Sequence, residues 1–268
     1  AVFGATFKVY STFSGRRFMS DLREARERGL IDRAPHYNTI FKYLEKPELT
    51  PVLTNLITES SLPLQSVETD FAVDSSGFSA SRFERWYNHK YGRDTFRQEW
   101  VKCHIITGVK TNIITGIEIL DKNAADVKQL PPLVAATAQN FRLSEVSGDK
   151  AYLSVKNVTA IHDVGALPFI AFKKDSSERG KTGHSKVWKD MFYYFMWKHE
   201  DFLQHYHKRS NVETTFSMVK RKFGDSVRSK TDIAMKNEVL CKVLAHNLVV
   251  LIHEIHELGI EPVFWKQS

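Results

Sequence analysis

The chain has 268 residues, of which 42% are apolar and 26% charged, and it carries a formal net charge of +7 with a pI near 9.2. Those totals allow one sizeable core plus an appendage in an ordinary globular balance, and they exclude a low-complexity chain. The basic excess favours a polyanionic partner.

The first sixty or so residues read as helical. Phe18 to Arg28 alternates charge with Leu22 and Ala25, and Gly29 is placed to end it. A second helix fits Asn38 to Glu45 before Pro47, and a third fits Pro51 to Thr58 with Thr50 as N-cap and Pro51 at the first helical position. These short helices fit a DNA reader or, preferably, a scaffold packed on the core.

From Val67 the period changes. Val67 to Val73 reads as a strand ending at Asp74, with Ser75, Ser76 and Gly77 as a turn. Trp100 to Thr107 and Ile113 to Leu120 form a hairpin around Gly108 to Asn112. Ala124 to Gln139 reads as helical, with a break at Pro131 and Pro132. A short strand from Glu145 to Gly148 leads into Asp149. A helix follows from Val155 to Asp163, and then a strand from Leu167 to Phe172. Strands in a meander, then alternating with helices, predict an α/β fold with a mixed sheet.

The stretch from Phe172 to Lys189 is polar and basic, carrying Lys173, Lys174, Arg179, Lys181, Lys186 and Lys189. It is either a surface loop or an arm over phosphates. Met191 to Phe202 holds Phe192, Tyr193, Tyr194, Phe195 and Trp197, a density that marks core more often than base stacking. Thr231 to Leu258 reads as one long helix with an apolar face at Val239, Leu240, Val243, Leu244, Leu248, Leu251 and Ile255, stopped by Gly259. No apolar run is read as membrane-spanning and no secretory signal opens the chain. The sequence starts at Ala1 without a Met, which leaves room for an upstream piece. Cys103 and Cys241 give neither metal spacing nor a disulfide framework, and a reduced compartment is the simpler reading. His253 and His256 lack a metal-binding pattern and read as ordinary helix residues.

The chemistry concentrates in YHKRSNVETTFSMVKRKF, from Tyr206 to Phe223. On a helix, Tyr206, Arg209, Glu213 and Lys220 fall within an arc of roughly 60°. A carboxylate there can hold a hard cation, while Arg and Lys can hold phosphate. Ser210 to Glu213 also fits a capping box, in which Glu213 merely closes a helix N-terminus with Tyr206 and Arg209 just outside it.

Tyr, two residues, Arg, three residues, Glu, six residues, Lys resembles the YREK signature of a group of insertion-sequence DDE transposases. The run RAPHYNTIFKYLEKPELTPVLTNLI resembles the region before their catalytic domain, and DSSGF at Asp74 and DKAY at Asp149 resemble the contexts of their two aspartates. The first context departs from the more usual DST but keeps a hydroxyl residue. The resemblance covers most of the chain. It implies an RNase H-like catalytic core over residues 67–268, with a C-terminal helix, behind an N-terminal helical region at 1–66.

It also implies Asp74, Asp149 and Glu213 as catalytic and metal-holding residues, with two Mg²⁺ ions that Mn²⁺ can replace. Tyr206, Arg209 and Lys220, with Lys208, Arg221 and Lys222, become DNA contacts, and Arg228 and Lys230 add basic charge nearby. The implied activity is metal-dependent hydrolysis at transposon ends followed by 3′-hydroxyl strand transfer into target DNA. Double-stranded DNA with terminal inverted repeats is the partner, and a homodimer on DNA pairs the ends. The location is the cytoplasm of a prokaryotic cell, at the nucleoid. The alternatives are a transposon-derived DNA-binding protein that no longer cuts, and an RNase H-fold nuclease without strand transfer.

Overall fold

An eleven-residue strand organises the protein. The computed structural model describes residues 1–80, 90, 100–120, 126–179, 185–262 and 264. Strand β1 (Asp70–Ala80) pairs antiparallel with β2 (Trp100–Gly108), which pairs antiparallel with β3 (Ile114–Leu120). On its other edge β1 runs parallel to β4 (Glu145–Gly148), and β4 runs parallel to β5 (Leu167–Ile170). The order is therefore β3-β2-β1-β4-β5, with a two-residue β6 (Ser226–Val227) against the far end of β1.

The expected turn at Ser75 to Gly77 is not one. β1 continues through it, because β2 supplies backbone partners along its length, with Ser76 opposite Cys103 and Gly77 opposite Lys102. Tertiary pairing overrides the turn propensity of Ser-Ser-Gly here. Gly77 lets the Trp100 ring lie close: a Cβ there would come within 2.7 Å of its Cε3.

Helices cover both faces of this mixed α/β sheet, and alternation along β1 decides which residue meets which layer. Phe71 and Val73 face a core with Ile106 and with α5 (Leu130–Ala138) and α6 (Val155–Asp163). Ala72 and Phe78 face the opposite core. That core holds α1 (Val2–Ser11), α2 (Gly15–Glu27), α3 (Tyr37–Leu44) and α4 (Leu49–Ser61), together with the last two helices, Ser210–Phe223 and Asp232–Leu258. Pro131 and Pro132 stand at the start of α5, where a missing N–H costs nothing, so they begin the helix instead of breaking it. Residues before 126 in that predicted helix lie outside the described set, and Asp126–Lys128 forms a 3₁₀ turn. α4 starts at Leu49, so Pro51 is its third residue, and Thr50 donates to Asn237 Oδ1 (2.7 Å) without acting as a cap.

Of the basic stretch, Lys186 and Lys189 belong to α7 (Lys186–Trp197), Lys173, Lys174 and Arg179 are exposed, and Lys181 lies outside the described residues. α7 and α8 (His199–Tyr206) bring Trp188, Met191 and Phe202 into a third core with Phe169 and Phe172, so most of the aromatic run packs inward. Trp197 stays 77% exposed and stacks on Tyr193.

α10 (Asp232–Leu258) is long and apolar enough to cross a membrane by length and composition, contrary to the sequence reading. Its environment is that of a core helix. Asn237, Glu238, Lys242 and Asn247 are buried along it, and Asn247 bonds α4 at Ile57 O (3.2 Å) and β3 at both Ile114 O (2.7 Å) and Ile114 N (3.0 Å). Its apolar face matches the predicted one at Val239, Leu240, Val243, Leu244 and Leu251, while Leu248 is 40% exposed. Cys103 and Cys241 are free and buried; burial raises both thiols, Cys241 to about 12.

Candidate active site

Residues 70, 72, 74, 76 and 78 share one face of β1, and Ala72 and Phe78 on that face pack with α9 (Ser210–Phe223). Asp74 and Ser76 therefore point toward α9. On β4, Val146 faces the other core, which puts Glu145, Ser147 and the following Asp149 on the α9 side. The parallel register pairs Val73 with Gly148. Asp74 comes next in β1 and Asp149 is the first residue past β4, close enough for their charges to interact.

Tyr206, Arg209 and Glu213 reach this place along a nearly unbroken helical path: α8, a 3₁₀ turn at His207–Arg209, then α9. The capping box does not form, because the N-cap of α9 is Arg209 and no side chain caps it. Glu213 Oε1 instead accepts from Arg209 Nη1 at 2.6 Å, one turn back, and the Arg209 guanidinium lies 5.5 Å over the Tyr206 ring. Lys220, two turns further on, donates to Ser76 Oγ at 2.7 Å and sits 5.3 Å over Phe78. All four signature residues thus line the sheet face that carries the two aspartates.

Their charges interact. Burial raises Asp74 above the usual carboxylate range, and the nearby charges of Asp149 and Glu213 raise it further. The Ser75 N–H, bonded to Oδ1 at 2.7 Å, and Arg209 pull it back. Burial also raises the Tyr206 phenol, against the pull of Arg209, and lowers the Lys220 ammonium. Three carboxylates gather with one guanidinium among them, which leaves the site short of positive charge. Carboxylate oxygens are the donors a hard divalent cation takes, so the residue types fit magnesium. Among the described residues no group of three or more His, Cys, Asp or Glu side chains stands ready to hold a metal ion, and Arg209 occupies Glu213.

The remaining sequence candidates separate from this set. Arg221 and Lys222 are exposed on the last turns of α9, and Lys222 lies 5.3 Å over the Tyr10 ring. Arg228 Nη1 donates to the Thr12 and Phe13 carbonyls (3.0 and 3.4 Å), and Lys230 is exposed. His253 and His256 are exposed on α10, His253 beside Glu254 and Glu257.

Lys208 turns inward: its Nζ donates to Asp70 Oδ2 at 2.7 Å and to Glu145 Oε1. His205 Nδ1 meets the other Glu145 oxygen at 2.5 Å while its ring stacks on Phe169 at 4.4 Å. Sequence reasoning missed this second acidic pair. Its signal was present: Asp70 precedes Asp74 by four residues and Glu145 precedes Asp149 by four, an even spacing that keeps each on its partner's face.

Neither a curated protein nor a solved structure matches the chain. The family described as Transposase DDE domain matches residues 65–248, from just before β1 to within α10. Over the matched residues an aspartate within β1 and one just past β4 face a helix-borne glutamate, and the chain belongs to the transposase DDE domain family.

Proposed function

We propose that this protein cuts DNA at transposon ends and joins the freed 3′-hydroxyl to target DNA, with Asp74, Asp149 and Glu213 as its catalytic carboxylates. The observation that carries the reading is that Asp74 in β1 and Asp149 just past the parallel strand β4 are near enough to interact, with the charge of Glu213 also acting on Asp74. The YREK subtype fits because Tyr206, Arg209, Glu213 and Lys220 share one helical path over those strands.

Asp74, Asp149 and Glu213 would hold two magnesium ions, which when bound activate the attacking oxygen and stabilise the leaving one. Manganese also favours oxygen donors in octahedral geometry and is expected to substitute. Arg209, one turn from Glu213, is placed to hold a phosphate once DNA draws it from that carboxylate, and a charge-assisted bond suits its fork. Lys220, tied to Ser76 two residues beyond Asp74, holds a neighbouring phosphate of the same strand. Tyr206, its ring 5.5 Å from the Arg209 guanidinium, supports that side chain beside the same phosphate. Arg221 and Lys222, exposed at the end of α9, extend the cationic track along the backbone. The partner on this reading is double-stranded DNA bearing terminal inverted repeats, bound by two copies in the prokaryotic cytoplasm.

The test is the amide series Asp74→Asn, Asp149→Asn and Glu213→Gln on labelled DNA carrying the repeats that flank the gene. Binding is expected to persist, since phosphate contacts come mainly from Lys and Arg, while cleavage and joining fall by at least about 10³-fold, the scale of losing metal activation. Cutting at the wild-type rate by Glu213→Gln would end the reading. Cleavage without joining by the wild type would identify a nuclease, and binding alone a transposon-derived DNA-binding protein.

A further inference from the structure

The geometry points to Lys208 as a positioning residue, not a DNA contact: it clamps the joint between α8 and α9 onto the strand starts and so sets Arg209 and Glu213 above Asp74 and Asp149. This rests on the function proposed above. Asp70 and Glu145 are register partners on β1 and β4. They form a lower rung of acidic residues, four residues before the rung of Asp74 and Asp149 and on the same face. The two rungs are about 13 Å apart along the strands. Lys208 lies in the 3₁₀ turn between the helices and bonds both members of the lower rung. Its neighbour Arg209 bonds Glu213, whose charge acts on Asp74 of the upper rung. From Lys208 to Glu213 the helical path climbs about 7 Å, so fixing Lys208 fixes the height and rotation of the catalytic glutamate.

The clamp is braced on its other side. His205, one turn before Lys208, shares Glu145 and stacks on Phe169 of β5. Asn211 Nδ2 donates to the Lys208 carbonyl at 3.0 Å, which ties the turn to the first residues of α9. A lysine with two carboxylates already in hand has little left for a phosphate, and breaking the pairing would take the ammonium from Asp70 and leave Glu145 to His205 alone. A shift of about 1 Å at a catalytic group can lower a rate by as much as 10²-fold. That is the lever through which a residue remote from the cut would act.

The full chain is assayed with DNA carrying the element ends, reading the salt slope of binding, the thermal midpoint and the cleavage rate. Lys208→Gln is expected to leave the log–log salt slope unchanged, lower the midpoint, and slow cleavage by roughly 10- to 100-fold. A slope shallower by about 0.9 would make Lys208 a phosphate contact and overturn the inference. The combined variant Lys208→Met, Asp70→Asn and Glu145→Gln leaves no buried charge unpaired, so its midpoint is expected to recover while its cleavage stays slow. Recovery of cleavage together with the midpoint would reduce Lys208 to a stabilising ion pair and overturn the positioning role. If Lys208→Gln does not fold, the combined variant carries the slope and cleavage comparisons alone. A wild-type protein that binds but never cuts would defeat the proposed function. The clamp would then be judged by the unchanged slope and by non-additive midpoints of Lys208→Met and Glu145→Gln, and additive midpoints would overturn it.

Discussion

Asp74 shows what burial among like charges does to a single carboxylate. Its strand placement buries it, and two more carboxylates press on it, so its proton is held more tightly in the folded chain than in the unfolded one. A folded pKa above the unfolded value means stability that is fully present below the ordinary aspartate pKa and is lost as pH rises through the folded one. Asp74→Asn keeps an acceptor for the Ser75 N–H and removes the charge. Without added metal at pH 7 it is expected to be more stable than the wild type by about 0.5–2 kcal/mol. Near pH 4 the gain shrinks as the wild-type carboxyl takes up its proton. Thermal unfolding of both proteins at the two pH values checks this, and equal midpoints at pH 7 would mean the carboxylates do not strain one another. Lys242 illustrates the opposite sign of buried charge. Burial lowers it to about 8, yet it is held by the Gly224 and Ser226 carbonyls at 2.9 and 2.7 Å, beside the end of α9.

Among the elements, the β2–β3 hairpin depends on a residue outside it. Gly108 to Asn112 carried an evident turn signal, and Asn112 does take the left-handed conformation at φ 62°. The turn is held from below by fully buried Glu68, whose carboxylate accepts from the Lys110 and Thr111 N–H groups (3.2 and 2.6 Å) and from the Thr111 hydroxyl (2.7 Å). Glu68 fits only because residue 108 has no side chain: a Cβ there would fall 2.3 Å from Glu68 Cδ. Gly108→Ala must displace a buried, triply bonded carboxylate. We expect it to destabilise the fold by roughly 2–4 kcal/mol, combining overpacking with unsatisfied donors. Denaturant unfolding measures it, and a loss below about 0.5 kcal/mol, the scale of a surface change, would refute this role for Glu68.

At the scale of the whole molecule, the N-terminal helices and the sheet of the matched domain share one apolar cluster. Phe18, Ile40, Leu53 and Ile57 lie in it with Ala72, Ile105, Val239 and Val243. α10 is the hub, bonded through Asn237 to the Leu44 and Lys46 carbonyls (2.8 and 3.1 Å) and through Asn247 to α4 and β3. A chain beginning at residue 67 is therefore expected not to fold alone. It would expose the apolar side of α10, leave Asn237 without its Leu44, Lys46 and Thr50 partners, and take Ile57 and Ser60 from Asn247. Circular dichroism and amide exchange on that truncation test it, and a cooperative unfolding transition would show that the boundary near 66 separates independent units.

The sequence by itself determined the local elements and the chemistry. The strand at Glu145–Gly148, the helix at Val155–Asp163, the long helix ending at Leu258 and stopped by Gly259, and the signature spacing are short-range patterns, written in periodicity and punctuation. Only the tertiary structure decided how far β1 runs, because its second half is held by β2, whose residues lie more than twenty positions later. It decided also that Glu213 serves Arg209 instead of a helix cap, and that Lys208 faces inward while Lys220 reaches Ser76. A side chain's partner depends on which strand lies across from it. That is set by sheet register over the whole fold, a long-range property that no window of sequence contains.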